Sequence, residues 1–319
     1  MVEAGHQVVL FDNLSNSKPD VVQRLEKITG KNIPFVEGDV RDTKLLEKTL
    51  RDFKVDAVIH FAGLKAVTES VRNPIEYYAN NVQGSISLLE AMKFCNIKTI
   101  VFSSSATVYG EPQYLPLDER HPTNAVNPYG RTKLQVEEIL NDLCQSDHEW
   151  SVAVLRYFNP VGAHHSGIIG EEPVGLPDNL MPYLAKVALG DLPVLKIYGD
   201  DYSTPDGTGV RDYIHVDDLV SGHLAALGFL EINNGWHVFN LGTSKGFSVL
   251  ELIDKFSNVV GRKINKEIVS RRAGDVASCF ASALKAKEAL SWEPKKTIEQ
   301  MCFSSWKWVC KRHSKESSS

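Results

Sequence analysis

FSSSATVYG (102–110) and, after a loop, NPYGRTK (127–133) are the stretches on which the reading of this chain turns. The run Thr99, Ile100, Val101 and Phe102 is apolar and β-branched, so it predicts a buried parallel strand. Ser103, Ser104 and Ser105 then stand at its C-terminal end, where ligands bind in an open α/β sheet. Tyr129 opens the next helix and Lys133 follows four residues on, which sets the phenol and the ammonium on one face. A hydroxyl, a phenol and a cation that favours the phenolate make a proton-transfer site beside a bound dinucleotide. Each part alone is common, since serines end many strands and Tyr–Lys pairs recur by chance. Their order, downstream of three strand–helix units, carries the inference.

Working back toward the start, His6 to Phe11 reads as a strand that delivers Asp12 and Asn13, and an acidic residue there suits the hydroxyls of an adenosine ribose. Such a strand is normally the second of its fold. Val2 to Gly5 resembles the tail of a preceding helix, and no G-x-G-x-x-G or G-x-x-G-x-x-G appears ahead of any later helix. The expectation is a sheet lacking its first strand and a diphosphate lacking its nest of backbone N–H groups. Either the true start lies upstream of Met1, or the protein is incomplete and holds a cofactor weakly.

Ile33 to Glu37 is the next expected strand, with Asp39 and Val40 placed for adenine; an N-cap role for Asp39 or Asp42 is equally natural. Leu45, Leu46, Leu50 and Phe53 form a helical stripe. Val55 to Phe61 predicts a strand ending at Ala62 and Gly63, small enough for close ligand approach. Lys65 beyond it is a solvated loop lysine or a partner for a diphosphate. Asn80 to Lys93 reads as one long helix, with Asn80 a ligand contact or a cap. Ser151 to Tyr157 is a further strand, from which Phe158 and Asn159 leave at the same edge.

Gly, Pro and His concentrate after Pro160, and a helix begins near Asn179 with Pro182 in its first turn. Val194 to Tyr198 predicts a short strand and Gly199 to Gly209 a polar loop. Arg211 to Asp218 leads into a helix from Leu219 to Phe229, His237 to Leu241 reads as a strand returning to the sheet, and Ser248 to Val259 as an amphipathic helix. Arg271 and Arg272 beside Asp275 concentrate positive charge for an anionic substrate. The fold class is therefore α/β: a doubly wound, mostly parallel Rossmann-type sheet, first strand missing, with a smaller C-terminal α/β substrate lobe. Residues 1–162 form the dinucleotide half, with 215–245 returning to it, and 163–319 supply the rest of the lobe.

The 319 residues, 43% of them hydrophobic, suffice for one large domain and a smaller one. A net charge of −5 gives no electrostatic reason to expect nucleic acid, and no apolar run approaches the roughly 18 residues a membrane span needs. Five unevenly spaced cysteines and a start unlike a signal peptide point to reduced thiols and a cytoplasmic protein. Cys302 and Cys310 are open to pairing, but their spacing does not require it. His164 and His165 lack a carboxylate or thiolate at ligand spacing, so no metal is expected. The tail from Cys302 to Ser319 is expected to fray.

The chain resembles the UDP-glucose 4-epimerase family of the extended short-chain dehydrogenase/reductase group. Besides the two stretches quoted first, the resemblance rests on FDNLSNS (11–17), VEGDVRD (36–42), VIHFAGLKAVTES (58–70), LRYFNPVGAHHSGIIGE (155–171), DNLMPY (178–183), DGTGVRDYIHVDDL (206–219) and RRAGD (271–275). Dehydratases of the group place an Asp-Glu pair after the catalytic Ser or Thr, whereas Ala106 and Thr107 follow Ser105 here. The resemblance implies tightly held NAD and interconversion of UDP-glucose and UDP-galactose by transient oxidation at the sugar C4. By the same likeness Tyr129 is the acid–base, Ser105 binds the 4-oxygen, and Lys133 depresses the Tyr129 pKa and binds the nicotinamide ribose. Asp12, Asn13, Asp39, Val40, Phe61, Ala62, Lys65, Asn80 and Phe158 line the cofactor with Tyr129 and Lys133. Thr107, Asn159, Asn179, Leu180, Lys196, Ile197, Tyr198, Arg211, Arg272 and Asp275 join Ser105 on the substrate side. Cys279 corresponds to the gate that admits an N-acetyl group, so UDP-GlcNAc and UDP-GalNAc are further expected substrates. A homodimer through the helices of 80–93 and 129–143 is implied as well. An inactive fragment that does not hold NAD, and another nucleotide-sugar epimerase or dehydratase, are the competing readings.

Overall fold

Alternating apolar runs and helical stripes give, in the first half of the chain, β1 (Leu10–Asp12), α1 (Asp20–Thr29), β2 (Phe35–Glu37), α2 (Thr43–Asp52), β3 (Ala57–His60), α3 (Val67–Arg72), α4 (Pro74–Tyr77), α5 (Gly84–Phe94), β4 (Thr99–Ser105), α6 (Pro128–Ser146) and β5 (Ser151–Tyr157). The second half adds β6 (Asn159–Val161), α7 (Leu180–Leu189), β7 (Leu195–Tyr198), β8 (Val210–His215), α8 (Val216–Leu230), β9 (Gly235–Leu241), β10 (Gly246–Ser248), α9 (Val249–Val260), β11 (Lys266–Val269), β12 (Ser278–Cys279), α10 (Leu284–Leu290) and α11 (Ile298–Glu316). This computed structural model describes residues 1–316 apart from Val174, Leu176, Asp178 and Ala273. Asp178 and Ala273, each within a motif quoted above, and the end of the tail, Ser317 to Ser319, therefore lie outside the described residues.

The main sheet is parallel throughout, in the order β3-β4-β5-β9. Its strands are apolar on both faces because both are covered. Ile100, Phe102, Val152 and Val154 pack toward Leu88, Met92, Val136 and Leu140 of α5 and α6. Val101, Ala153 and Leu155, the alternate positions, pack toward Leu219, Ala226 and Leu290 of α8 and α10. β1 and β2 pair separately, in parallel. They share no ladder with β3.

The first strand begins later than its apolar pattern suggests, at Leu10 rather than His6. The Leu10 N–H donates to Pro34 O at 2.9 Å, but Pro34 has no N–H to return, so the ladder stops there. The single helix expected from Asn80 is also broken. α4 passes into a π-helical segment, Tyr78–Gln83, before α5 begins at Gly84.

The C-terminal lobe is built around β8. Its first half pairs with β10 and β12, and its second half with β6; β7 and β11 form a separate parallel pair. Tyr213 packs into the lobe core with Leu184, Leu252 and Phe256, whereas its neighbour Ile214 joins the core under the main sheet. The expected fraying does not hold for the described part of the tail, because α11 runs to Glu316. Lys307 Nζ and Lys311 Nζ tie α11 to His165 O and Ser166 O, each at 2.7 Å. Cys302 and Cys310 are both free thiols. Lying eight residues apart on one helix, they are about 12 Å apart along its axis, too far to bridge.

Asp212, fully buried on β8, fastens three segments. Its carboxylate accepts from the N–H groups of Thr243 at 2.8 Å, Ser244 at 3.0 Å and Ala281 at 3.1 Å. Asp212→Ala leaves these three donors without their acceptor and is expected to cost about 3 kcal/mol. Urea unfolding of the two proteins measures it, and a midpoint unchanged by the substitution refutes the fastening role.

Candidate active site

Three residues converge where β4 ends. Ser105 is still extended, and its Oγ accepts from the Thr107 N–H at 3.2 Å, capping the short 3₁₀ turn Ala106–Val108. α6 starts across from this turn. Asn127 caps it through the Gly130 N–H at 2.8 Å, and Pro128 fills the first position, where no N–H is needed. Gly130 permits the approach, since a Cβ there would stand 2.9 Å from Thr107 O. Tyr129 is thereby brought close to Ser105, whose hydroxyl favours the phenolate.

Lys133, one turn further, is 5% exposed and donates to Ser103 O at 2.7 Å. Its ammonium lies 6.0 Å from the Tyr129 ring centroid and 4.9 Å from that of Phe102. Burial brings its pKa down to about 8, opposed by the charge of Glu137. Burial also raises the Tyr129 pKa, and the Ser105 hydroxyl pulls the other way. The Lys133 ammonium, one of whose protons goes to the strand carbonyl of Ser103, stands on the same side of the phenol ring as a positive charge.

The expected cofactor-side residues lie along the C-terminal ends of β1 to β5. Asp12 Oδ1 accepts from Leu14 N at 2.7 Å and Ser17 Oγ at 3.2 Å. Asn13 Nδ2 lies 3.5 Å from Asp39 Oδ2. Arg41 grips Asp39 through Nε at 2.8 Å and Nη2 at 2.6 Å, holding its carboxyl far below the usual range. Asp42, not Asp39, caps α2. Phe61, 55% exposed, and Ala62 project at the end of β3.

Val40 turns its side chain into the core, so it does not offer that side chain to an adenine ring. Lys65 pairs with Glu171 at 3.1 Å. Beside Asn80, it is Asn81 that the π-helical segment turns inward. Asn81 bonds Leu64 N at 2.7 Å, Leu64 O at 2.9 Å and Thr132 Oγ1 at 3.0 Å. Phe158 is buried with Val108, Tyr109 and Leu117.

The lobe contributes a pocket of about 200 Å³ lined by Asn159, Asn179, Leu180, Lys196, Ile197, Tyr198, Arg211, Arg272 and Asp275. Arg272 stacks over Tyr198 at 4.6 Å and donates to Asp275 at 3.1 Å; Arg211 lies 3.9 Å from the same carboxylate. Asn179 Nδ2 donates to Glu171 Oε1 at 2.8 Å. Along β7, Lys196 and Tyr198 face outward, while the Ile197 side chain packs into the lobe core behind the pocket. Cys279 sits opposite Arg211 on β12 and packs against the Phe158 cluster. A second cavity, about 500 Å³, lies elsewhere, between His165, His215 and α11, and none of the expected cofactor or substrate residues line it.

The family profile described as GDP-mannose 4,6 dehydratase matches residues 1–304. The UDP-glucose 4-epimerase of Bacillus subtilis is 52% identical over 308 residues, covering 97% of this chain and 91% of that protein. The chain belongs to the UDP-glucose 4-epimerase family. The solved UDP-glucose 4-epimerase of Bifidobacterium longum, in complex with NAD+ and UDP, is 51% identical with a TM-score of 0.95, covering 98% of this chain and 94% of that one. That of Stenotrophomonas maltophila, with bound NAD and formylated UDP-arabinopyranose, is 48% identical with a TM-score of 0.96, covering 98% and 93%.

In this epimerase-family chain the donor set fits a dinucleotide at both ends. Carboxylates at Asp12 and Asp39 suit the adenosine, and the buried Lys133 ammonium with the Tyr129 phenol suits the nicotinamide ribose. Among the described residues no glycine-rich turn runs from a strand into a helix along this edge. Sequence reasoning missed Asn81 and Tyr202. Arg271, expected with Arg272 to supply charge for an anionic substrate, stacks over Tyr202 at 4.1 Å and pairs with Asp201 at 2.6 Å, beside the pocket.

Proposed function

We propose that this chain interconverts UDP-glucose and UDP-galactose by NAD-dependent oxidation and reduction at the sugar C4. The observation that carries it is the half-buried Tyr129, set beside Ser105 and one turn from the buried Lys133, in a chain whose lobe holds a pocket with two arginines. NAD, when bound, would supply the redox chemistry at the sugar C4, as acceptor and then donor of a hydride. Tyr129 takes the 4-hydroxyl proton as C4 is oxidised and returns it as the 4-keto sugar is reduced on its other face. Ser105 holds the 4-oxygen, and Lys133 supplies the positive charge that favours the phenolate. Arg211 and Arg272 meet the diphosphate. Asp12, Asn13, Asp39, Phe61, Ala62, Lys65, Asn80 and Phe158 serve the cofactor, so residues 1–162 with 215–245 form the cofactor half and the remainder of 163–319 the substrate lobe.

No helix among the described residues is long and apolar enough to cross a membrane. A cytoplasmic homodimer completes the reading, supported by the exposed apolar side chains of Val71, Ile75 and Phe94 on and beside α3 to α5. Purified protein supplied with NAD should convert UDP-galactose to UDP-glucose in a coupled assay. Absence of conversion overturns the reading.

Cys279 leaves room beside the sugar for an N-acetyl group. Cys279→Tyr is expected to cut UDP-GalNAc turnover at least about tenfold more than UDP-galactose turnover, a discrimination of the size that one filled pocket provides. Product analysis on both sugars tests this, and an unchanged ratio removes Cys279 from the specificity argument.

A further inference from the structure

Beneath the catalytic pair lies a buried network that the mechanism above does not use. Glu137 follows Lys133 by one turn of α6, so Tyr129, Lys133 and Glu137 form one stripe on the helix. Its carboxylate accepts from Arg156 of β5 through Nε at 3.1 Å and Nη2 at 2.6 Å, and the two side chains are 2% and 5% exposed. The Ser104 hydroxyl donates to it as well. Ser104 lies between Ser103, whose carbonyl accepts from Lys133, and Ser105, the partner of Tyr129. One carboxylate thus grips the strand end that carries both partners of the catalytic pair, and also faces the lysine.

A buried ion pair is weak support for stability, because desolvation offsets most of its attraction. This one also leaves Arg156 Nη1 buried without a hydrogen-bond partner, with the guanidinium carbon 4.8 Å from the Tyr109 ring centroid. Its position is better explained by what it does for its neighbours. Building on the epimerase reading, we propose that Glu137 is a positioning residue, which fixes the end of β4 through Ser104 and holds the Lys133 ammonium charged and aimed at Ser103 O.

The ionisable groups that act on Lys133 are His60 on β3 and Tyr129 and Glu137 on α6, with Arg156 and Tyr157 of β5 behind them as partners of Glu137 and His223. His60 is buried and its pKa is pushed down to about 3, so it stays neutral throughout the working range. Burial raises Tyr157, whose hydroxyl bonds the neutral His223 of α8. Arg156 keeps its charge. Glu137 is thus the negative charge within this set that sustains the ammonium.

The test compares the parent chain with Glu137→Gln, and with the double variant Glu137→Leu, Arg156→Leu, in which an apolar pair replaces the ion pair so that folding is kept. The Lys133 titration is followed by NMR of carbon-13-labelled lysine, assigned with Lys133→Met, and does not depend on turnover. In both variants its midpoint should fall by about one pH unit. The kcat for UDP-galactose should drop about tenfold while KM changes less than about twofold, as for a residue that acts through another. A midpoint that stays within about 0.2 unit in both variants overturns the proposal, whatever happens to their melting temperatures. A shifted midpoint in a parent chain that shows no epimerisation overturns the epimerase reading and leaves the Glu137–Lys133 coupling standing.

Discussion

Tyr129→Phe should lower kcat for UDP-galactose by about 10³-fold, the typical scale for a lost acid–base group, with little change in KM. The ring remains to fill its place at the start of α6, and only the hydroxyl beside Ser105 is removed. Uniform substrate binding, supplied by the arginine pocket some distance along the lobe, is untouched. The pH profile provides an internal control. Lys133 has a folded pKa lowered to about 8, so its positive charge is present below that pH and is lost as pH rises through it. Activity that depends on this charge should decline above about pH 8 in the parent chain. Single-turnover conversion across pH 6 to 10 measures both effects, on the order of a decade in rate per unit beyond the limb. Residual activity of Tyr129→Phe within about tenfold of the parent would falsify the acid–base role.

The second large effect concerns stability. Arg156→Leu leaves the Glu137 carboxylate buried with its main partner gone and is expected to destabilise the fold by about 3–5 kcal/mol. The carboxylate retains the Ser104 hydroxyl, which cannot replace a bidentate guanidinium. Adding Glu137→Leu to the same chain should recover most of the loss, because the two leucines together restore an apolar contact without a stranded charge. Denaturant unfolding of the three proteins reads this directly. A single variant as stable as the parent shows that the pair is already neutralised by other means.

How much of this was readable beforehand depends on what each segment had to do. β5 was legible to the residue, because Ser151–Tyr157 is buried on both faces and nothing in it serves a ligand. β8 was not seen as a strand. Arg211 and Asp212 interrupt its apolar pattern, one to face the pocket and the other to collect three backbone donors. β6, β10 and β12 are too short for any periodicity to register. The site was legible where chemistry demands a side-chain type at fixed spacing, as with Ser105, Tyr129 and Lys133. It was not legible where side-chain direction depends on helix geometry. The π-helical segment that turns Asn81 inward leaves no trace in composition, and the outward alternation at Lys196 and Tyr198 shows Ile197 to be core only once the register is known.

The placement of β8 also governs how the lobe and the main sheet are held together. The strand is laced to β6, β10 and β12, and its consecutive residues Tyr213 and Ile214 are embedded in two different cores. Swinging the lobe away like a clamshell would pull one of these two neighbours out of its core, so β8 works as a rivet that holds lobe and sheet in one frame around the sugar pocket.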